Sequence, residues 1–456
     1  MPAPDSPVLT ASLRGELRGW AALAVAALAV AGIFALLLAF ARTPKLQNLL
    51  PWPWEQFFFK ALVTHVVYSM VVWFLGALGA LTVLSTARIS GGHPRAGSLG
   101  PVGMWTAVAG FALLSTPALL NQGEPSLNNY VPVLVHPLYY AGLGLLGGGL
   151  ALGVLRLLLN LPGAARIEAS DWGVASAGTV FLMALACFGL ASALIPPDTG
   201  EAAFNERLFW GGGHVLQFVN TLLAMVGWQV LSERTLGEPP VGPRLFAASA
   251  AVLVLAVLPA PLFYAAFDVL GREHRDAFTQ LLWYGLSLPP AVVLLGALGL
   301  TARRRSSLPW RSPAFVGLIL SLVLFAAGGV MGFFLGVGDT RTPSHYHASL
   351  GAVNLALMAL YFSLLLPLLG LPARRDGPVR WSFLLYGVGQ ILFSIGMFVA
   401  GAAGVPRKTA GVEQHLDSFA KYASMLVYGS GGVIAVVGGI LFVWLASARL
   451  LSRRTP

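Results

Sequence analysis

The sequence predicts an all-α, polytopic membrane protein of twelve transmembrane helices. Three observations predict it. The 456 residues are 57% hydrophobic and 10% charged, whereas soluble domains carry roughly 25% charged residues. The apolar residues are gathered into about twelve runs of the ~20 residues that a helix needs to cross a bilayer. These runs lack the apolar–polar alternation over about ten positions that a barrel strand shows.

The runs fall near 19–41, 58–86, 101–121, 132–160, 173–195, 207–231, 244–267, 278–301, 313–336, 345–371, 381–403 and 422–448. The first follows Arg14 and Arg18 and has the length of a retained helix rather than of a cleaved signal. A single domain over 1–456 is expected, with an N-terminal tail at 1–18 and a C-terminal tail at 449–456. Cys187, the one cysteine, sits inside the apolar run MALACFGLA and reads as a small buried residue.

Charge sets the expected orientation, because cytoplasmic loops retain Lys and Arg. Placing both termini inside puts 18 of the 28 basic residues on the inner side, Arg303, Arg304 and Arg305 among them. The formal charge of +10 is then a topology signal, and no nucleic-acid partner is implied.

Seven of the eight histidines fall towards the opposite face: His65, His136, His214, His274, His345, His347 and His415. Only His93 lies in an inner loop. His274 is expected in the connection after span seven, and His345 and His347 open span ten. At 1.5 Å per residue most of them share a slab roughly 10 Å thick. Ionisable groups in spans are costly and are functional candidates by default, and neutral imidazole is a common metal ligand. On a helix, His345 and His347 are about 200° apart. They can serve two metal centres, one on each side. His65 facing His347 would complete a six-coordinate haem iron. His345 would leave its iron five-coordinate, open to a small gas molecule.

At this point the sequence resembles subunit I of the haem-copper oxidase superfamily. Five features carry the resemblance: THVVYSMVVWFLGALG around His65, FWGGGHVLQFVNT around His214, GREHRDAF around His274, DTRTPSHYHASLGAV at span ten, and GVPRK at 404–408. It implies a subunit I-like fold with two haems and a copper. His65 and His347 are then the axial ligands of a low-spin haem and His345 the proximal ligand of a high-spin haem. His214 and His274 would bind copper, and Arg407 and Lys408 would pair with haem propionates. The branch it resembles most is that of the C-type (cbb-type) oxidases and nitric oxide reductases, and Tyr264 matches the span-seven redox tyrosine of the C-type enzymes.

Two departures stand out. Arg275 stands where the family has a second adjacent histidine, so copper lacks its third imidazole, for which His136 and His415 are the candidates. Phe218 stands four residues after His214, where many oxidases of the family carry tyrosine and nitric oxide reductases carry glutamate. Tyr284, Ser287 and Ser321 are candidates for a hydroxyl-lined proton route. The implied activity is reduction of dioxygen to water in a bacterial cytoplasmic membrane. Electrons would come from separate donor subunits, of cytochrome c or cupredoxin type. The alternatives are a nitric oxide reductase or copper-deficient gas-reducing relative, and a non-catalytic haem-binding protein or transporter.

Overall fold

The computed structural model describes residues 8–42, 54–164, 166–409 and 411–452. Arg453 and Arg454, counted above for orientation, lie outside them. Among the described residues, twelve helices are long and apolar enough to span a membrane: α1 Ala11–Ala41, α2 Phe58–Ile89, α3 Leu99–Leu119, α4 Pro137–Asn160, α5 Ala169–Leu194, α6 Glu201–Leu236, α7 Pro243–Ala266, α8 Arg272–Arg303, α9 Pro313–Gly332, α10 Arg341–Leu368, α11 Asp376–Ala402 and α12 Phe419–Leu450. These are the twelve expected spans. One short hairpin joins α3 to α4, with β1 Glu124–Ser126 antiparallel to β2 Val133–Val135.

Helix α1 begins eight residues before the expected span, and the reason is electrostatic. Glu16 is buried, and its carboxylate meets the guanidinium of the fully buried Arg156 at 2.7 Å. Gly100 leaves room for this pair, because a Cβ there would overlap Arg156 and Glu16. A buried charge is tolerable when paired, so an apparently polar segment continues the helix. Helix α8 likewise starts earlier than expected, at Arg272, which places His274 in its first turn rather than in a connecting loop. Its path is interrupted at Leu286 and Ser287, just before Pro289 and Pro290, where proline withholds an N–H from the ladder.

The chain divides into two compact units. The first comprises Met1–Ala24, Ser69–Val230 and Pro239–Leu300. In it, α3 and α4 pack through small residues. A Cβ on Gly110 would lie 2.7 Å from the Gly142 carbonyl, and a Cβ on Gly142 2.8 Å from that of Gly110. Lipid gives helices no hydrophobic drive to associate, so close backbone contact does that work. Arg88 donates to the buried Asp171 at 2.7 Å, at the start of α5.

The second unit comprises Val25–Tyr68, Leu231–Glu238 and Thr301–Pro456. Here α11 and α12 mesh at a seven-residue spacing. A Cβ on Gly389 would lie 2.8 Å from the Gly431 carbonyl, one on Gly396 2.8 Å from that of Ser424, and one on Gly438 2.8 Å from that of Ser382. Seven residues is the repeat that keeps two helices in register as they coil. Helix α10 is tied to α11 where Asn354 Nδ2 donates to Tyr386 Oη at 2.8 Å. The helices bearing His65 and the His345–His347 pair each contain a π turn, at Tyr68–Val72 and Tyr361–Leu365. Such turns recur at functional sites.

Candidate functional site

Each unit carries part of the predicted site. In the first, His214 is almost fully buried on α6, at the end of the run Trp-Gly-Gly-Gly-His. Three glycines in a helix interior each cost about 1 kcal/mol relative to alanine. The packing explains them. A Cβ on Gly211 would overlap the Tyr264 hydroxyl, one on Gly212 would overlap the Phe188 ring, and one on Gly213 would lie 2.6 Å from Tyr130 Cγ. The glycine run is a cradle into which three aromatic rings settle, from α7, from α5 and from the hairpin loop.

His214 Nδ1 lies 2.7 Å from the Trp210 carbonyl. A carbonyl only accepts, so Nδ1 carries the proton and Nε2 bears the lone pair. Nε2 in turn accepts from the Tyr130 hydroxyl at 2.9 Å. Burial, with Glu206 nearby, pushes the Tyr130 phenol above its ordinary value, consistent with the hydroxyl as donor. Tyr130 sits in the hairpin loop and is held there by Asn128, whose Oδ1 accepts from the N–H groups of Tyr130 and Val131 at 3.1 and 2.9 Å. Asn129 fastens the same loop to α6 through Glu206 at 2.7 Å.

His274 is fully buried and neither of its ring nitrogens has a hydrogen-bond partner. Tyr264 packs its ring 4.7 Å from that imidazole, and its hydroxyl is likewise buried without a partner. Both imidazoles pack on Phe278, His214 at 5.9 Å and His274 at 5.1 Å. Buried polar atoms left unsatisfied cost about 1–3 kcal/mol each, and such atoms mark a place that a ligand completes. His214 and His274 therefore share Phe278 as a neighbour, with Tyr264 beside His274.

Arg275 is exposed, one residue round the helix from the buried His274. Two other expectations take different forms. His136 caps α4 by accepting from the Leu138 N–H at 3.3 Å, and His415 is exposed with a left-handed backbone, φ +47°. Among the described residues, no three His, Cys, Asp or Glu side chains converge on a metal-sized point. Phe218 is buried against Gly285, where a Cβ would lie 3.2 Å from its ring. Tyr284 is 86% exposed, while the Ser287 and Ser321 hydroxyls donate to the Trp283 and Ala352 carbonyls at 3.0 and 2.7 Å. Hydroxyls in spans commonly bond in this way.

In the second unit, His345 and His347 leave α10 in different directions. His345 Nδ1 donates to the Gly328 carbonyl of α9 at 2.7 Å. Gly332 makes room for the ring, since a Cβ there would come within 3.0 Å of it. His347 instead packs against Phe393 of α11, with ring centroids 4.8 Å apart. His65 Nδ1 donates to the Ala31 carbonyl of α1 at 3.1 Å. Val405 and Arg407 are tied to the segment that opens α10, and Lys408 follows them in the chain. The Arg407 N–H donates to the Gly338 carbonyl at 3.0 Å, and the Thr340 N–H donates to that of Val405 at 3.1 Å. Asp339 lies in this junction and bonds Arg341, which holds its carboxyl below the usual carboxylate range.

The donor sets fit the groups implied. His65, His214 and His345 each commit Nδ1–H to a backbone carbonyl, leaving Nε2 as the basic nitrogen. This is the arrangement by which metal-binding histidines are oriented. Sequence reasoning missed Tyr130, which no motif singles out. Its only local signal is the Asn128–Asn129 pair, a turn-forming dipeptide that fixes a loop.

Comparison with known proteins bears on the family and the fold. The model of the cytochrome c and quinol oxidase polypeptide I family matches residues 18–441. An uncharacterised protein of Aquifex aeolicus is 30% identical over 347 residues, which is 75% of this chain and 83% of that protein. Cytochrome c oxidase subunit 1 of Thermus thermophilus is 26% identical over 461 residues, 90% of this chain and 79% of its own length. A heme-copper terminal oxidase dimer solved by cryo-EM superposes with a TM-score of 0.77 at 16% identity, over 98% of this chain and 86% of that one, a likeness of fold. With its twelve helices and its matched span, the chain belongs to the haem-copper oxidase subunit I family.

Proposed function

We propose that this chain is the catalytic subunit of a terminal respiratory oxidase in a bacterial cytoplasmic membrane. The observation that carries the reading is the shared state of three imidazoles. His65, His214 and His345 have Nδ1–H fixed on backbone carbonyls and Nε2 left basic. Two haems and a copper, when bound, supply the electron relay and the gas-binding metals. His65 and His347 hold the low-spin haem, His345 holds the high-spin haem, and His214 and His274 bind the second metal. Arg407, anchored beside the start of α10, and Lys408 after it neutralise propionates. Tyr264, with its hydroxyl sheltered against Gly211 and its ring on His274, holds a proton at Oη beside that metal site. The Nδ1–H bonds fix ring orientation before any metal arrives, which reduces the ordering cost of binding. Electrons arrive from separate donor subunits, and both termini lie in the cytoplasm.

The test is a metal and haem count on the purified protein, with reduced-minus-oxidised and carbon-monoxide difference spectra. Two haems, one of them reactive with carbon monoxide, are expected. His65→Ala and His347→Ala remove the low-spin spectrum, while His345→Ala removes carbon-monoxide binding and spares the low-spin signal. A wild-type protein without haem would sink the proposal. Nitric oxide turnover without dioxygen turnover would move the chain to the nitric oxide reductase branch.

A further inference from the structure

We infer that Tyr130 is the third protein ligand of the second metal, completing the donor set of His214 and His274 with a phenolate oxygen. The inference rests on the functional reading above and deepens it. That set lacks an imidazole, because position 275 is an exposed arginine and no third His, Cys, Asp or Glu joins the pair among the described residues.

Geometry singles out Tyr130. Its Oη lies 2.9 Å from His214 Nε2, the nitrogen left basic by the Nδ1–H bond to Trp210. Two donors tetrahedrally bound to one metal at about 2.0–2.1 Å sit roughly 3.3–3.4 Å apart. The pair, 2.9 Å apart in an ordinary hydrogen bond, opens by about half an ångström to take a metal ion in place of the hydroxyl proton. Gly213 allows the approach, since a Cβ there would lie 2.6 Å from Tyr130 Cγ. Asn128 and Asn129 fix the loop from both sides, so the oxygen is held by structure rather than found by a mobile chain. His274, fully buried with both ring nitrogens unpartnered, supplies a donor not committed elsewhere.

Charge points the same way. The Arg207 guanidinium donates to the Leu270 carbonyl at 2.6 Å and to that of Gly271 at 3.4 Å, just before His274. Arg207 is itself offset by Glu206 and Asp268, so the charge left to balance is that of a divalent ion on two neutral imidazoles. An anionic third donor offsets part of that charge. Binding forms a metal–oxygen bond, breaks the Tyr130 O–H bond and releases one proton to solvent, with no change of oxidation state. Hard phenolate oxygen with imidazole suits oxidised copper or ferric iron better than cuprous copper.

The experiment compares wild type, Tyr130→Phe and Tyr264→Phe by metal content, visible absorption and resonance Raman of the oxidised protein, with cupric or ferrous salt added back. A phenolate-to-metal charge-transfer band and phenolate ring modes are expected in wild type and in Tyr264→Phe. In Tyr130→Phe both are lost and the second metal binds at least tenfold more weakly, with the two haems and the low-spin spectrum retained to show an intact fold. Unchanged metal content and spectra in Tyr130→Phe overturn the inference and leave Tyr130 as a residue that positions His214. Loss of the band in Tyr264→Phe alone overturns it in favour of Tyr264. Wild type with haem but without a second metal after add-back refutes the inference and spares the haem assignment. Wild type without haem refutes the functional reading itself.

Discussion

Replacing Gly211 with alanine opposes two effects of known size. Alanine in a helix interior is favoured over glycine by about 1 kcal/mol, so propensity alone makes Gly211→Ala stabilising. The packing says otherwise. The new Cβ would overlap the Tyr264 hydroxyl and lie 2.6 Å from Phe278 Cζ, where carbon pairs rest at about 3.5–4.0 Å. Phe278 must retreat by roughly 1 Å, yet it is fully buried and wedged among Phe263, Tyr264 and His274. Overpacking of this kind costs about 1–3 kcal/mol. Gly144→Ala is the matched control, because nothing lies within 4 Å of its added Cβ. The two variants should differ by roughly 1–3 kcal/mol, with Gly211→Ala the less stable. Thermal unfolding of the detergent-solubilised proteins reads the difference. Gly211→Ala melting at or above Gly144→Ala would refute the claim that the glycine run exists to seat Tyr264 and Phe278.

The buried pair of Glu16 and Arg156 gives a second expectation. Arg156→Met alone strands a carboxylate and should cost about 3–5 kcal/mol, whereas the double change Glu16→Leu with Arg156→Met should recover most of it; a double-mutant cycle by thermal unfolding decides. Gly431→Val should force α11 and α12 apart and lower stability by about 1–3 kcal/mol, while Gly439→Val, whose nearest neighbour is a side-chain atom 4.0 Å away, should cost less in the same assay. Asp339 supplies the pH dependence. Its pKa is depressed by Arg341, so its contribution is full above the ordinary carboxylate value of about 3.9 and is lost as pH falls through the depressed value. The junction between 336–341 and 404–409 should therefore hold from pH 8 to 5 and loosen in stronger acid. Hydrogen exchange of those peptides, corrected for intrinsic rate, should show the acid transition in wild type, and Asp339→Asn should already be loosened at neutral pH.

The twelve helices were legible because lipid imposes a length and a composition on every span, and both are local properties. The divergence of His345 and His347 was legible for a similar reason. Two residues on one helix have a fixed angle between them, and one ring goes to α9 while the other meets Phe393 of α11. Helix boundaries failed where charge was involved. Arg14, Glu16 and Arg18 look like the end of a span until Arg156, 140 positions away, is seen to neutralise Glu16. The polar run GREHRD has the composition of a loop, yet Arg272, Glu273, Arg275 and Asp276 form the exposed side of an amphipathic first turn whose buried side is His274.

Composition and run length were enough for the fold class and the twelve spans. What each histidine meets was settled by tertiary packing. It turned Gly211–Gly213 from helix breakers into a seat for three rings, left Arg275 exposed, made His136 a helix cap and brought Tyr130 to within 2.9 Å of His214. None of these is a property of a segment. Each depends on which atoms of distant segments share a space too small for one more carbon.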